Sequence, residues 1–197
     1  MVTLRPVLPA DIDALYEICL VTGDAGADAS ALYTDPRLLG QIYAAPYAVL
    51  EPAHTLVAED AEGVAGYLVG THDTAAFAAR LEREWWPALR QRYADAEGMS
   101  AADRDCIAAI MRPEPPPADL AATYPAHIHM NLLPRLRGQG IGTALLQQWL
   151  DEARRAGVPG VHLGASTRNT GGVAFWTRSG FVPQRSIGTA TWFSMAL

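Results

Sequence analysis

Gly138, Gly140 and Gly142 alternate with other residues in the stretch Arg137-Gly138-Gln139-Gly140-Ile141-Gly142-Thr143, between an apolar run ending in Leu132-Leu133 and a segment with helical apolar spacing. The start of a helix leaves several backbone N–H groups without partners, and glycines let a ligand come close to them. The partial positive charge of the helix end favours an anion there, so the chemistry such a stretch can do is to cradle a phosphate. A dinucleotide fingerprint G-x-G-x-x-G counted from Gly138 meets Thr143 where its third glycine belongs, and no Lys-Ser/Thr pair completes a P-loop. A glycine-rich strand-to-helix turn that binds nothing carries the same residues.

Stepping outward, residues 127–133 read as the strand feeding this loop. Alternation sets His127, His129, Asn131 and Leu133 on one face and Ile128, Met130 and Leu132 on the other. Behind the loop, Ile141, Leu145 and Trp149 repeat by four beside Leu146, Leu150 and Ala153, and Gly157 with Pro159 ends the helix. Upstream, residues 3–7 are a strand and Pro9 opens a helix with Ile12, Leu15 and Cys19 on its apolar side. A small-residue loop, 23–30, carries Asp24 and Asp28. Residues 36–43 read as a short helix, and 54–59 with 64–71 as a β-hairpin. A single long helix is expected over 74–93, with Phe77, Leu81, Trp85 and Leu89 spaced by four. Ser100 and Asp103 form a capping-box start to another helix, which the proline run 113–117 breaks. Strands at 160–165, 181–185 and 191–196 and a helix at 171–179 complete the chain. The order β-α-α-β-β-(insert)-β-α-β-α-β-β predicts an α/β (α+β) fold around a mixed sheet of about seven strands. Residues 1–197 are read as one domain with a helical insertion at about 73–123 between the third and fourth strands.

The composition excludes several classes. A net charge of −6 with 18% charged residues argues against a nucleic-acid binder, because a phosphate backbone demands clustered Lys and Arg. The acidity suits a cationic amine substrate without identifying one. Cys19 and Cys106 have neither a C-x-x-C nor a zinc spacing, so neither a disulfide framework nor a metal site is expected. Residues 1–7 lack the features of a signal peptide and no run approaches a spanning helix, so a cytoplasmic location off the membrane is expected.

A second motif lies about thirty residues beyond the first: Asn169, then Phe175-Trp176, then Gly180-Phe181. Together, the R-x-x-G-x-G element at 137–142 and this N-x₅-aromatic-aromatic-x₃-G-F pattern resemble the GCN5-related N-acetyltransferases (GNAT). Nearly the whole chain is further similar to the acetyltransferase-like domain at the C-terminus of O-GlcNAcases and to its free-standing bacterial relatives. The residues carrying that likeness are the Ile18-Cys19 helix with its Asp/Gly loop, residues 66–73, Trp85-Trp86-Pro87, and the insertion before Tyr124-Pro125. Eukaryotic members of this branch look like pseudo-acetyltransferases that have lost the cofactor loop, which is intact here.

The resemblance implies a GNAT fold in which the fourth and fifth strands splay apart, and acetyl-CoA as cofactor. Leu132, Leu133, Arg137, Gly138, Gln139, Gly140, Ile141, Gly142 and Thr143 are then its loop contacts, with Asn169, Phe175 and Trp176 beside the pantetheine arm. It implies direct attack of an amine on the thioester, the acceptor being a small molecule or peptide, with a backbone N–H near Leu132 on the carbonyl. The family's usual tyrosine acid falls at Trp176, whose indole N–H is no practical proton source. Candidate bases are His129, which titrates near neutrality when unperturbed, then Asp73 and Asp24. Asp73 also suits a helix N-cap, and His127 and His129 also suit half-buried sheet positions. Two classes therefore stand: an N-acetyltransferase, and an acetyl-CoA-binding or interaction module without catalysis. Oligomeric state is not readable.

Overall fold

The computed structural model describes residues 1–95 and 97–197; Ala96, inside the predicted insertion, lies outside them. Seven strands form one sheet: β1 (Thr3–Pro6), β2 (Leu56–Asp60), β3 (Gly63–Thr71), β4 (Ala126–Leu132), β5 (Gly160–Ser166), β6 (Val182–Ile187) and β7 (Ala190–Ala196). Their order is β1-β2-β3-β4-β5-β7-β6, antiparallel throughout except for the parallel β4–β5 pair. Parallel neighbours need a crossover. Here α8 (Ile141–Arg155) supplies it.

The alternation read in β4 sorts the chain into two apolar layers. On the α8 face, Ile128 packs with Leu145, Leu146, Trp149 and Leu163, together with Trp176 of α9 (Thr170–Arg178). On the opposite face, Tyr67 and Val69 of β3 pack under α1 (Ile12–Val21), α2 (Gly40–Tyr43) and α3 (Ala45–Leu50). Cys19 belongs to this second layer and is buried, as its place on the apolar side of α1 predicts. Trp149, fully buried, donates its indole N–H to the carbonyl of His54 and ties α8 to the turn before β2.

The predicted insertion holds α4 (Thr74–Glu84), α5 (Trp86–Arg92), α6 (Ala101–Met111) and α7 (Ala118–Thr123). The expected single helix over 74–93 is in fact two. Pro87 lies in the first turn of α5, where its missing N–H costs nothing; in a continuous helix its ring would clash with the preceding turn. The break at Trp85 also lets adjacent tryptophans serve one core. Trp86 is buried in the layer under α1, and Trp85 packs against the same layer with its N–H on the Gln41 carbonyl. The capping box at Ser100 forms as expected, and Asp103 does more than cap. Fully buried, it accepts from the backbone N–H groups of Ser100 and Thr34 at 2.9 Å each, so α6 is latched to the segment after α1. The helix α3 lies where no periodic signal was read, in Ala45-Pro46-Tyr47-Ala48-Val49-Leu50.

Candidate active site

The parallel ladder between β4 and β5 is short, pairing Ala126 with Val161 and His127 with His162 and no further. Leu133 donates its N–H to Ala65 on the β3 side, so the alternation of the backbone turns the amides of Met130 and Leu132 the other way, towards a gap where β5 has already left. Among the described residues these strand donors have no partner on β5, and they face a cleft. The Leu132 carbonyl is taken by the Arg137 guanidinium at 2.9 Å.

At the C-terminal end of β4, a short turn at Pro134–Leu136 leads into the glycine loop. Gly138 and Gly140 have φ of +72° and +77°, which side chains rarely adopt, and Gly140 is the N-cap of α8 without a side-chain cap. Among the described residues, none of the N–H groups from Gly138 to Thr143 donates to a protein acceptor. Six consecutive donors at a helix N-terminus form an anion cradle. It opens on a groove of about 800 Å³, lined also by Phe175, Arg168 and Arg178. Arg137 does not reach across the loop to a ligand position alone; its second nitrogen donates to the Gly26 carbonyl at 2.9 Å, tying the loop to the segment after α1. Asn169 accepts from the Gly172 N–H at 2.8 Å as N-cap of α9, which leaves its amide nitrogen for the groove.

A second cavity, of about 630 Å³, lies over the face of β4, β5 and β7 that carries His127, His129, His162 and Trp192. The two cavities share Thr22, Ala25, Met130, Asn131, Asn169 and Trp176 as lining. They are two ends of one passage, and those six residues are its neck. Ala25 and Gly26 both have positive φ, at 53° and 94°, in a tight turn closed by two mutual backbone bonds between Asp24 and Ala27. That turn sets Gly26 beside the Asn169 side chain at the neck.

The histidines differ in their bonding. Thr74 gives its hydroxyl proton to the Pro125 carbonyl at 2.6 Å, so its oxygen must accept from His127 Nδ1 at 2.7 Å; His127 Nε2 then accepts from the Tyr47 hydroxyl at 2.7 Å. Every polar atom of His127 is satisfied in its neutral form, and burial holds its pKa well below the usual value. His129 stands edge-on to Tyr43 and Tyr47, each at 5.5 Å between ring centroids, with no hydrogen bond on either nitrogen among the described residues. Its expected titration near neutrality is corrected here: burial, with His162 adding to it, pushes it down to about 4. His162 Nδ1 meets the Tyr124 carbonyl at 2.6 Å.

Of the three candidate bases, His129 alone lines the passage. Asp73 caps α4, accepting from the Ala76 N–H at 2.9 Å, and Asp24 pairs with Arg168 at 2.7 Å; neither lines either cavity. The candidate cofactor residues Leu132, Arg137, Gly138, Gly140, Ile141, Gly142, Thr143, Asn169, Phe175 and Trp176 converge on the groove, whereas Leu133 and Gln139 are not among its lining. Leu133 hydrogen-bonds back to β3 and Gln139 to the Arg135 carbonyl. Sequence reasoning passed over His162, Tyr43, Glu114 and Trp192, all of which line the second cavity. A signal existed for His162: a parallel register setting it beside His127 puts both rings on one face of adjacent strands.

A family model of the GNAT acetyltransferases matches residues 28–181. The solved structure of SsHAT is 36% identical, with a TM-score of 0.91 over 99% of this chain and 98% of that one. The PaiA N-acetyltransferase of Thermoplasma acidophilum, solved in complex with coenzyme A, shares the fold at 12% identity and a TM-score of 0.62, over 100% of this chain and 99% of that one. The protein O-GlcNAcase of Rattus norvegicus is 24% identical over 161 residues, 80% of this chain but only 18% of the O-GlcNAcase. With the splayed strands, the glycine loop and the matched family model in agreement, this chain belongs to the acetyltransferase (GNAT) family.

Proposed function

We propose that this protein is an acetyl-CoA-dependent N-acetyltransferase, a single domain over residues 1–197, with the pyrophosphate of the cofactor on the cradle of Gly138 to Thr143 and the acceptor amine in the histidine-lined cavity. The observation that carries the reading is the neck. A thioester lying along the β4–β5 gap meets the amide of Met130 where the two cavities join and that of Leu132 just on the cofactor side, so donor and acceptor reach one point from opposite ends. Those amides are aimed at the carbonyl oxygen on which charge develops, and they need no rearrangement to stabilise it. Trp176, buried against Phe175 and Phe181, is a wall of the neck and gives no proton, so the leaving thiolate takes its proton elsewhere.

The acceptor is a primary amine, small molecule or peptide. Trp176 also favours a second reading, a coenzyme A-binding module without turnover, because it stands where the family resemblance calls for a tyrosine acid.

Calorimetric titration with acetyl-CoA comes first, followed by thiol release with a panel of primary amines. Saturable binding is expected, weakened about tenfold or more by Gly140→Val, since a β-branched residue at φ of +77° must move the donors it flanks. No binding to the wild-type protein at millimolar acetyl-CoA overturns both readings. Binding without thiol release for any amine leaves only the module.

A further inference from the structure

We infer that His162 is the proton acceptor for the attacking amine, an assignment resting on the transferase reading above. Acetyl transfer to an amine must remove a proton from nitrogen as the C–N bond forms, and the group that takes it needs a bare lone pair, a fixed direction and access to the acceptor. His162 has all three. Its Nδ1 lies 2.6 Å from the Tyr124 carbonyl, which accepts and never donates, so the proton of the neutral ring is on Nδ1 and Nε2 is the bare atom. The ring is only 1% exposed and is held between His127, at 5.7 Å, and Trp192, at 6.1 Å, so its direction does not wander. Nε2 has no hydrogen-bond partner among the described residues, yet it is not one of the sealed, orphaned polar atoms, which are confined to His54 and His72. His162 lines the acceptor cavity, and Nε2 is the one ring nitrogen that its protein bonds leave for it.

The neighbouring rings lack this combination. His127 has the same tautomer, but its Nε2 is occupied by the Tyr47 hydroxyl. His129 has access, but nothing fixes its tautomer. The other titratable groups lining the cavity with His162 are those two histidines, Tyr33, Tyr43, Cys19 and Glu114 on the rim of the insertion. Burial lowers the pKa of His162 while the Tyr124 carbonyl opposes that shift, so the ring is neutral at pH 7 and its cation has a partner once formed. In the step, the nitrogen of the neutral amine bonds to the acetyl carbon and the C–S bond breaks. The proton leaving nitrogen passes to His162 Nε2, directly or through one water. The thiolate takes up one proton, either directly from the imidazolium or from a water whose hydroxide then takes the imidazolium proton, and both routes restore the neutral ring.

Two measurements test this. Long-range ¹⁵N–¹H imidazole spectra of the wild-type protein at pH 7 should show His162 protonated at Nδ1 alone; an Nε2–H tautomer overturns the assignment without any substrate. Kinetics then use the panel amine that the wild type acetylates fastest. His162→Asn keeps a side-chain N–H for Tyr124 but has no base. It is expected to lower kcat by about 10²-fold or more while acetyl-CoA affinity by calorimetry stays within threefold, and to remove the acidic limb of the kcat/KM profile. His162→Gln serves in its place if thermal unfolding shows that the Asn variant is not folded. Turnover within threefold of wild type with the limb intact overturns the proposal, above all if His129→Asn loses both. If the wild type acetylates none of the amines although it binds acetyl-CoA, the transferase reading fails and this assignment with it; if it acetylates one and His162→Asn does too, only this assignment fails.

Discussion

His127 lines the histidine-bearing cavity with both ring nitrogens engaged, so on the proposed reading it is no base, and its bonds say why. The run Tyr47 O–H to Nε2, Nδ1–H to Thr74 and Thr74 O–H to the Pro125 carbonyl consumes each donor and acceptor once. Replacing Thr74 by Val keeps the shape and removes two partners together, leaving His127 Nδ1–H unpaired and taking the hydroxyl bond from Pro125. The expected cost is about 1–3 kcal/mol in urea unfolding, with acetyl-CoA affinity unchanged. A variant as stable as wild type contradicts the tautomer derived for His127. Asp73 and Asp24 make the same point from the other side. A carboxylate on a loop at the right place in the chain reads equally well as a base or as a local partner, and here an N-cap bond and an arginine pair absorb them.

Among the elements, the insertion adds four helices to a sheet otherwise covered by α1, α2 and α3 on one face and α8 with α9 on the other. Its proline run puts Glu114 and Pro116 on the rim of the histidine-lined cavity, proposed above to take the acceptor, while Asp103 fastens α6 to the segment carrying Tyr33. Asp103→Ala removes the fully buried carboxylate that holds the part-buried Thr34 and Ser100 amides. A loss of about 2–3 kcal/mol in chemical denaturation is expected, together with weaker amine use at unchanged acetyl-CoA affinity, because the wall that loosens belongs to the acceptor side. The cofactor side rests on different supports: the α8 N-terminus, the α9 cap at Asn169 and the two bonds of Arg137. Equal loss of both affinities would show that the insertion props the whole cleft.

Taken whole, the molecule keeps several histidines neutral inside it. Burial holds His127 well below its usual pKa and pushes His129 and His72 down to about 4, the last helped by His54 stacked at 3.8 Å. The unfolded chain binds protons at these sites below pH 6.5, whereas the folded chain resists until far lower. Stability is therefore greatest above that pH and falls as acid is added towards 4. The urea midpoint is expected to drop between pH 7 and pH 5 by the equivalent of at least roughly 1–2 kcal/mol, and His129→Asn should flatten part of the slope. A midpoint independent of pH over that range would mean that these rings are not neutral in the fold. Among the described residues no helix is long and apolar enough to cross a membrane.

Local features that a few neighbouring residues determine were legible in the chain itself. The Ser100 capping box, the glycine loop ahead of α8 and the alternation of β4 depend on backbone sterics and nearest neighbours, and all stand in the structure. Two motifs thirty residues apart sufficed for the family because their spacing carries the β-α-β-α unit with it. The helix α3 and the break at Trp85 were not legible, since apolar periodicity does not tell a continuous helix from two that bury their faces in one core. Still less could the chain say which of three histidines has one nitrogen fixed by a carbonyl and the other free. That depends on a carbonyl 38 residues away, at Tyr124, and on a tyrosine 80 residues away, at Tyr47; only the packing of β4, β5, α3 and α4 brings those oxygens to the rings and decides where each proton sits.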